Sequence, residues 1–238
     1  MPRSVVLLSG GLDSTVNFKR ALDRSEVAVA LTFDYGQRAA SAEIKAASMM
    51  SERHGVAHRV IELPWLAKAS RSALMDGGAS LPALGPADLD DSEGAAARSA
   101  ARVWVPNRNG LFLNIAATIA ESVQARHVYV GFNAEEASTF PDNSPEFLAA
   151  ANGALEFSTR GLVSVRCDTL HMAKDQIVRL GMDIGAPLDL VWPCYGAGPG
   201  LCCVCESCLR FLRAVRRADA GDWFSERFSG FPMDGANA

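Results

Sequence analysis

The apolar run Val5-Val6-Leu7-Leu8 breaks into Ser9-Gly10-Gly11-Leu12-Asp13-Ser14-Thr15 and resumes with helical spacing. A strand, a glycine-rich turn and a helix start make an anion site. The first helical turn has unpaired N–H groups and carries the positive end of the dipole. Gly10 and Gly11 let the backbone approach a ligand closely. Ser9, Ser14 and Thr15 add hydroxyls. Asp13 repels a neighbouring phosphate unless a cation lies between them, so it reads as a Mg²⁺ ligand or a helix cap. The turn lacks the Lys-Ser/Thr pair of a Walker loop and the three spaced glycines of a dinucleotide fingerprint.

The segments that follow alternate strand and helix. Val27 to Phe33 is apolar throughout, as in buried parallel strands, and ends in Asp34-Tyr35-Gly36-Gln37. Ligands of open α/β sheets bind beyond the carboxyl ends of strands. Tyr35, Gly36 and Gln37 are therefore expected against a nucleotide's adenine and ribose, with an ordinary turn as the plainer alternative. A helix over 39–54 faces Ile44, Ala47 and Met50 inward and Glu43, Lys45, Glu52 and Arg53 outward, and Gly55 closes it. His58 to Leu63 is a third strand. From Pro64 to Arg102 the period is lost, and Gly77-Gly78, Pro82, Gly85-Pro86 and the acidic Asp88, Asp90, Asp91 and Glu93 suggest a loop or lid.

Val103-Trp104-Val105-Pro106-Asn107-Arg108-Asn109-Gly110 then leads into a helix from Leu111 to Val123. Arg108 can hold a carboxylate, and Asn109 can read a base edge. A fourth strand from His127 ends in Gly131-Phe132-Asn133. In Pro141-Asp142-Asn143-Ser144-Pro145, Asp142 or Ser144 caps the next helix. Val163 to Cys167 is a fifth strand. His171 to Leu180 is a helix carrying Lys174 and closed by Gly181.

Near the C-terminus, Cys202, Cys205 and Cys208 form two overlapping C-x-x-C steps, and Cys194 lies upstream across a Gly/Pro-rich loop. This spacing suits four thiolates around a structural Zn²⁺, with an iron–sulfur cluster or a redox dithiol as alternatives. Cys203 competes with Cys202, which the spacing favours, and Cys167 reads as a core residue. Arg210, Arg213, Arg216 and Arg217 lie near one helical face, read as a solvated face or a subunit contact rather than an RNA contact.

Composition narrows the class. The chain has 238 residues, 49% hydrophobic and 21% charged, as in globular proteins. The formal net charge of −4 does not attract polyanions, so no nucleic-acid partner is expected. Neither an export signal nor a membrane span is visible. Six cysteines without such a signal suit the reducing cytoplasm. The expected fold is α/β, a doubly wound, mostly parallel five-stranded sheet with helices on both faces. Residues 1–185 would form the nucleotide-binding domain, with the insertion near 64–102, and 186–238 a small helical zinc-binding region.

SGGLDST resembles the PP-loop of ATP pyrophosphatases, whose fold is that of the adenine nucleotide alpha hydrolases. FDYGQ, VPNRN followed by FLNIA, GFN, FPD with PEF close behind, and CY followed by C-x-x-C-x-x-C-L-R extend the likeness over nearly the whole chain. Together they resemble the 7-cyano-7-deazaguanine synthase family. The resemblance implies a cytoplasmic homodimer using ATP, Mg²⁺ and Zn²⁺. Its reaction would turn 7-carboxy-7-deazaguanine and ammonia into 7-cyano-7-deazaguanine (preQ0) for queuosine biosynthesis. ATP would adenylate the carboxylate, ammonia would displace AMP, and a second ATP would activate the amide for dehydration.

By that resemblance Leu8, Ser9, Gly10, Gly11, Leu12, Asp13, Ser14 and Thr15 hold the nucleotide together with Tyr35, Gly36 and Gln37. Asp13, Ser14, Lys174 and Arg108 serve the chemistry. Asn109, Gly131, Asn133 and Asp142 contact the substrate, and Cys194, Cys202, Cys205 and Cys208 bind the metal. Two departures stand out: Asn143-Ser144 replaces the family's Cys-Arg after Pro-Asp, and Cys203 stands where glycine is usual. Alternatives are a PP-loop tRNA thiolase or amidotransferase, or a zinc-stapled nucleotide-binding protein without turnover.

Overall fold

A computed structural model describes residues 1–91 and 94–228; Glu93 and the end of the 186–238 region lie outside them. Five strands, β1 (Arg3–Leu7), β2 (Glu26–Asp34), β3 (His58–Glu62), β4 (His127–Tyr129) and β5 (Ser164–Arg166), form one sheet in the order β3-β2-β1-β4-β5. Every pairing is parallel, so the expected mostly parallel sheet is wholly parallel. The helices are α1 (Leu12–Arg24), α2 (Ala40–Arg53), α3 (Pro64–Ala69), α4 (Ala95–Val103), α5 (Arg108–Ser122), α6 (Ala134–Ala137), α7 (Pro145–Ser158), α8 (Lys174–Asp183), α9 (Glu206–Arg217) and α10 (Gly221–Arg227).

Successive β1 side chains explain why the strand is apolar along its length. Val5 packs with α5-side residues such as Leu113 and Ala116, whereas Val6 packs with Val16, Met50 and Ile177 on the opposite face. Phe211, Val215 and Phe224 join the Val6 face, so α9 and α10 share the sheet's core. β1 is the strand from which the chain winds outward in both directions. Ligands of open α/β sheets bind at such a switch point, and here it carries the glycine turn.

Several local expectations change, and α5 starts at Arg108, three residues earlier than expected. Residues 64–102 are not structureless: they hold α3, α4 and a 3₁₀ turn at Pro86–Asp90. Ala95-Ala96-Ala97-Arg98 hides a helix because alanines bury without forming a stripe of large side chains. Gly181 lies inside α8 instead of closing it. Its missing Cβ leaves room for Leu188 and Val16, whose methyls would come within 3.0 Å. α8 also starts at Lys174, three residues later than expected.

Ser144 wins the competition to cap α7, its hydroxyl accepting from Phe147 N at 3.1 Å. Ser144→Ala is expected to cost about 1 kcal/mol, read as a lower urea midpoint with an unchanged slope.

Candidate active site

The carboxyl ends of β1, β2 and β4 open into a cleft of about 250 Å³. Leu8, Ser9, Gly11, Leu12, Asp13 and Ser14 of the first turn line it, with Tyr35, Arg108, Asn109, Gly131, Asp142 and Lys174. Trp192, Cys194 and Tyr195 reach it from the cysteine-bearing loop. That loop is tied to the turn, since Trp192 N donates to Gly10 O at 2.7 Å.

The turn owes its shape to two glycines. Gly10 has φ +78°, and a Cβ there would lie 2.8 Å from Ala46 Cβ. Gly131, at the end of β4, backs directly onto the start of α1. A Cβ on it would sit 2.4 Å from Ser14 N, so only glycine lets β4 support the helix terminus. Ser14 Oγ donates to Gly11 O at 3.0 Å and lies 3.1 Å from Ser9 Oγ, which keeps both hydroxyls at the rim.

Asp13 is the electrostatic centre. Its Oδ2 accepts from Lys174 Nζ at 2.9 Å and Asn133 Nδ2 at 3.3 Å. Lys174 Nζ also meets Glu136 Oε1 at 2.8 Å. Burial raises the Asp13 pKa, against the pull of the ammonium beside it. Burial works against the Lys174 charge, but Asp13 and Glu136 together hold its pKa above the usual lysine value. Asp13 Oδ1 is buried with no hydrogen-bond partner. An orphaned carboxylate oxygen of this kind fits a Mg²⁺ ligand, because a hard cation takes oxygen donors.

On the opposite wall Arg108 bonds neutral groups, Tyr35 Oη at 3.4 Å and Asn109 Oδ1 at 3.3 Å. The carboxylates of Asp142 and Glu43 lie near enough to favour its charged form, and its guanidinium can still meet an anion in the cleft. Asn109 Nδ2 donates to Asp142 O at 3.1 Å, and Asn143 Nδ2 to Asp142 Oδ1 at 3.3 Å. Because Ser144 caps α7, the Asp142 carboxylate is left to face the cleft.

Several expected contacts lie elsewhere. Thr15 is fully buried, its hydroxyl on Gly11 O at 2.8 Å and Met50 Sδ at 3.4 Å, so it belongs to the core. Gly10, Gly36 and Gln37 do not line the cleft. The Gln37 amide is consumed by Tyr35 N, Phe33 O and Glu43 Oε2, at 3.0, 2.9 and 2.8 Å. Asn133 is fully buried and caps α6 through Glu136 N at 2.9 Å, so it orients Asp13 rather than reaching substrate. Arg210 is buried on Glu206 at 3.0 Å, and Arg213 meets Glu135 at 3.0 Å and Asp90 at 2.6 Å, which overturns the solvated face for both.

Glu43 and Glu136 were missed as cleft residues, although both line it. Glu43 occupies an outward position by helical period, yet α2 starts at the cleft rim and Gln37 draws the carboxylate inward. Burial raises it from 4.5 to about 7, against the Gln37 hydrogen bond and the Arg108 charge. For Glu136 the available signal was the acidic pair Glu135-Glu136 close behind Asn133.

The four thiols Cys194, Cys202, Cys205 and Cys208 gather with all sulfurs within 4.8 Å of one another. Cys202 Sγ and Cys208 Sγ are 3.8 Å apart, close to the edge of a tetrahedron with Zn–S bonds of about 2.3 Å. Cys203 turns away towards Leu201 O and has φ +59°. The left-handed backbone explains why glycine suits that position.

The sequence pattern of the queuosine biosynthesis protein QueC family matches residues 3–219. The 7-cyano-7-deazaguanine synthase of Pelotomaculum thermopropionicum is 52% identical over 216 residues, covering 91% of this chain and 97% of that one. That of Bdellovibrio bacteriovorus is 48% identical over 216 residues, covering 90% and 93%. That of Methanosarcina mazei is 39% identical over 227 residues, covering 94% and 98%.

Cys203→Gly should raise stability by about 1 kcal/mol by relieving the left-handed residue while leaving metal stoichiometry unchanged, checked by urea unfolding and metal analysis. Glu43 favours the fold when protonated, because its folded pKa lies above the unfolded one. That contribution is complete below pH 4.5 and is lost as the pH rises through about 7. Over this window the wild type should lose about 2 kcal/mol relative to Glu43→Gln in parallel melts, less than full burial would give because water still reaches the carboxylate.

Proposed function

Because the chain belongs to the QueC family of queuosine biosynthesis proteins, we propose that its cleft performs ATP-dependent conversion of 7-carboxy-7-deazaguanine and ammonia to 7-cyano-7-deazaguanine. The relatives it matches are named 7-cyano-7-deazaguanine synthases, and an enzyme of this ligase type is the reading the cleft supports. The observation that carries the ATP-dependent reading is the Asp13–Lys174–Glu136 cluster with its orphaned Asp13 oxygen, at the mouth of a helix start that offers N–H groups to phosphate.

In this reading the first turn and Lys174 receive the triphosphate tail. A carboxylate oxygen attacks the α-phosphorus and pyrophosphate leaves, giving an acyl adenylate. Ammonia attacks the acyl carbon, AMP leaves and a proton is lost, giving the amide. A second ATP adenylates the amide oxygen and its pyrophosphate leaves; the amide nitrogen gives up one proton on activation and its second as AMP departs, which leaves the nitrile. Negative charge builds on the departing pyrophosphate and at the tetrahedral carbon. Lys174, Arg108 and the N–H groups of α1 are already fixed around those positions, so little reorganisation opposes the transition state. No protein nucleophile takes part; alignment of the two reactants supplies much of the rate.

Asp142 offers a carboxylate to the donor edge of the guanine-like ring, with Asn109 beside it. Arg108 takes over the substrate anion that the absent family arginine would face. Asp13 would hold Mg²⁺, which shields the pyrophosphate charge when bound. The four cysteines would hold a closed structural Zn²⁺ that stiffens the cleft roof through Cys194 and Tyr195. The protein is expected to act in the cytoplasm as a homodimer, with the 64–102 segment covering the cleft. Among the described residues no helix is long and apolar enough to cross a membrane.

Incubation with the carboxylated deazaguanine, ammonia, ATP and Mg²⁺ should yield the nitrile, AMP and pyrophosphate, followed by mass spectrometry. Asp13→Ala should lower AMP formation at least 100-fold, about 2.7 kcal/mol in barrier, with the fold intact by circular dichroism. Nitrile formation at the wild-type rate would refute the assignment.

A further inference from the structure

Two aromatic side chains of the cleft lie nearly parallel in an arrangement that the proposed chemistry has not used. The rings of Trp104 and Phe140 lie within 8° of parallel, with centroids 6.5 Å apart. That is about twice the ~3.4 Å spacing of stacked bases in a duplex. Both line the cleft, and Trp104 keeps 37% of its surface exposed although it is a large apolar ring. Each wall is joined in sequence to a group placed to read a heterocycle's edge. Phe140 precedes Asp142 by two residues, and Trp104 precedes Asn109 by five. Asn109 in turn donates to Asp142 O at 3.1 Å.

We propose that Trp104 and Phe140 form a slot that holds the planar deazaguanine ring of the substrate, face against face, while Asp142 and Asn109 meet its edge. The assignment rests on the synthase reading above. A flat aromatic heterocycle gains from stacking on such rings whatever its edge groups. The walls therefore supply affinity, and Asp142 with Asn109 supplies selectivity. The slot also compensates for the Asn143-Ser144 departure: a ring held on both faces needs fewer charged contacts at its substituent. Trp104 follows the 64–102 segment, so that segment would help to set one wall.

The test compares wild type, Trp104→Ala, Trp104→Phe, Phe140→Ala and Phe140→Leu. KM is measured separately for the carboxylated deazaguanine and for ATP, and tryptophan fluorescence is followed while the acid is titrated. Each alanine variant should raise KM for the acid about ten- to hundredfold, with KM for ATP within about twofold. Trp104→Phe should keep most of the affinity because it keeps an aromatic face. Phe140→Leu should not, because it keeps only apolar volume. The acid should quench wild-type fluorescence, and the quench should shrink in Trp104→Phe, where Trp192 is the tryptophan left lining the cleft, while binding persists. Full activity in Phe140→Leu, an unquenched wild type, or a loss that falls on ATP instead would overturn the slot. If the wild type forms no AMP from ATP and the acid, the synthase reading falls and the slot with it. If it does, and the variants leave KM for the acid unchanged, only the slot falls.

Discussion

Everything around the cleft depends on the buried contact between Lys174 and Asp13. It joins the first residue of α8 to the first turn of α1, two helices that pack on the same face of the sheet, and Glu136 completes it from α6. Two carboxylates share one ammonium, so the cluster carries a formal excess of one negative charge. Such an arrangement costs desolvation energy that one ion pair does not recover, and removing the Lys174 ammonium would leave two buried carboxylates unpaired, at a cost of about 3–5 kcal/mol. A motif kept for stability alone would be better served by apolar packing. The excess negative charge makes physical sense at a site proposed to take a cation, which would restore the charge balance.

The cysteine region is part of the same device. Glu206, next to Cys205, accepts from Ser99 Oγ at 2.8 Å and from Arg210 at 3.0 Å. Arg210 and Arg213 reach Glu135, whose other oxygen accepts from Lys174 N at 2.8 Å. A line of charge-assisted contacts thus runs from the helix after the thiols to the start of α8. The backbone bond from Trp192 to Gly10 ties the loop before the thiols to the turn itself. Four thiols drawn together at one corner would fix both ends of this frame, which is how a structural metal remote from the reacting atoms would shape the cleft.

The legible parts of this protein are those decided over a few residues. Val5 to Leu7 belong to a strand that packs on both faces, and Ser9 to Gly11 to a glycine-bearing turn that leads into α1. The thiol spacing had to bring sulfurs to one side of a bend. Helical period placed Met50 and Ala47 correctly in the core. It failed at Glu43 because the period describes a helix alone, whereas the rim of the cleft meets only the first turn of α2. It failed at Arg210 because Glu135 and Glu206 arrive from elements far away in the chain. The polar atoms of Gln37 and Thr15, expected against a nucleotide, are spent on holding the turns that carry their neighbours.

By itself the sequence determined the strand–turn–helix unit, the parallel alternation that follows it and the four-thiol pattern. Each arises from backbone geometry and from residues close together in the chain. Only the tertiary structure decided that Asn133 serves Asp13, that Cys203 leaves the thiol cluster, and that Trp104 faces Phe140. The physical reason is the same in each case. Which atoms a side chain meets is set by the packing of segments distant in sequence, and local periodicity carries no record of it.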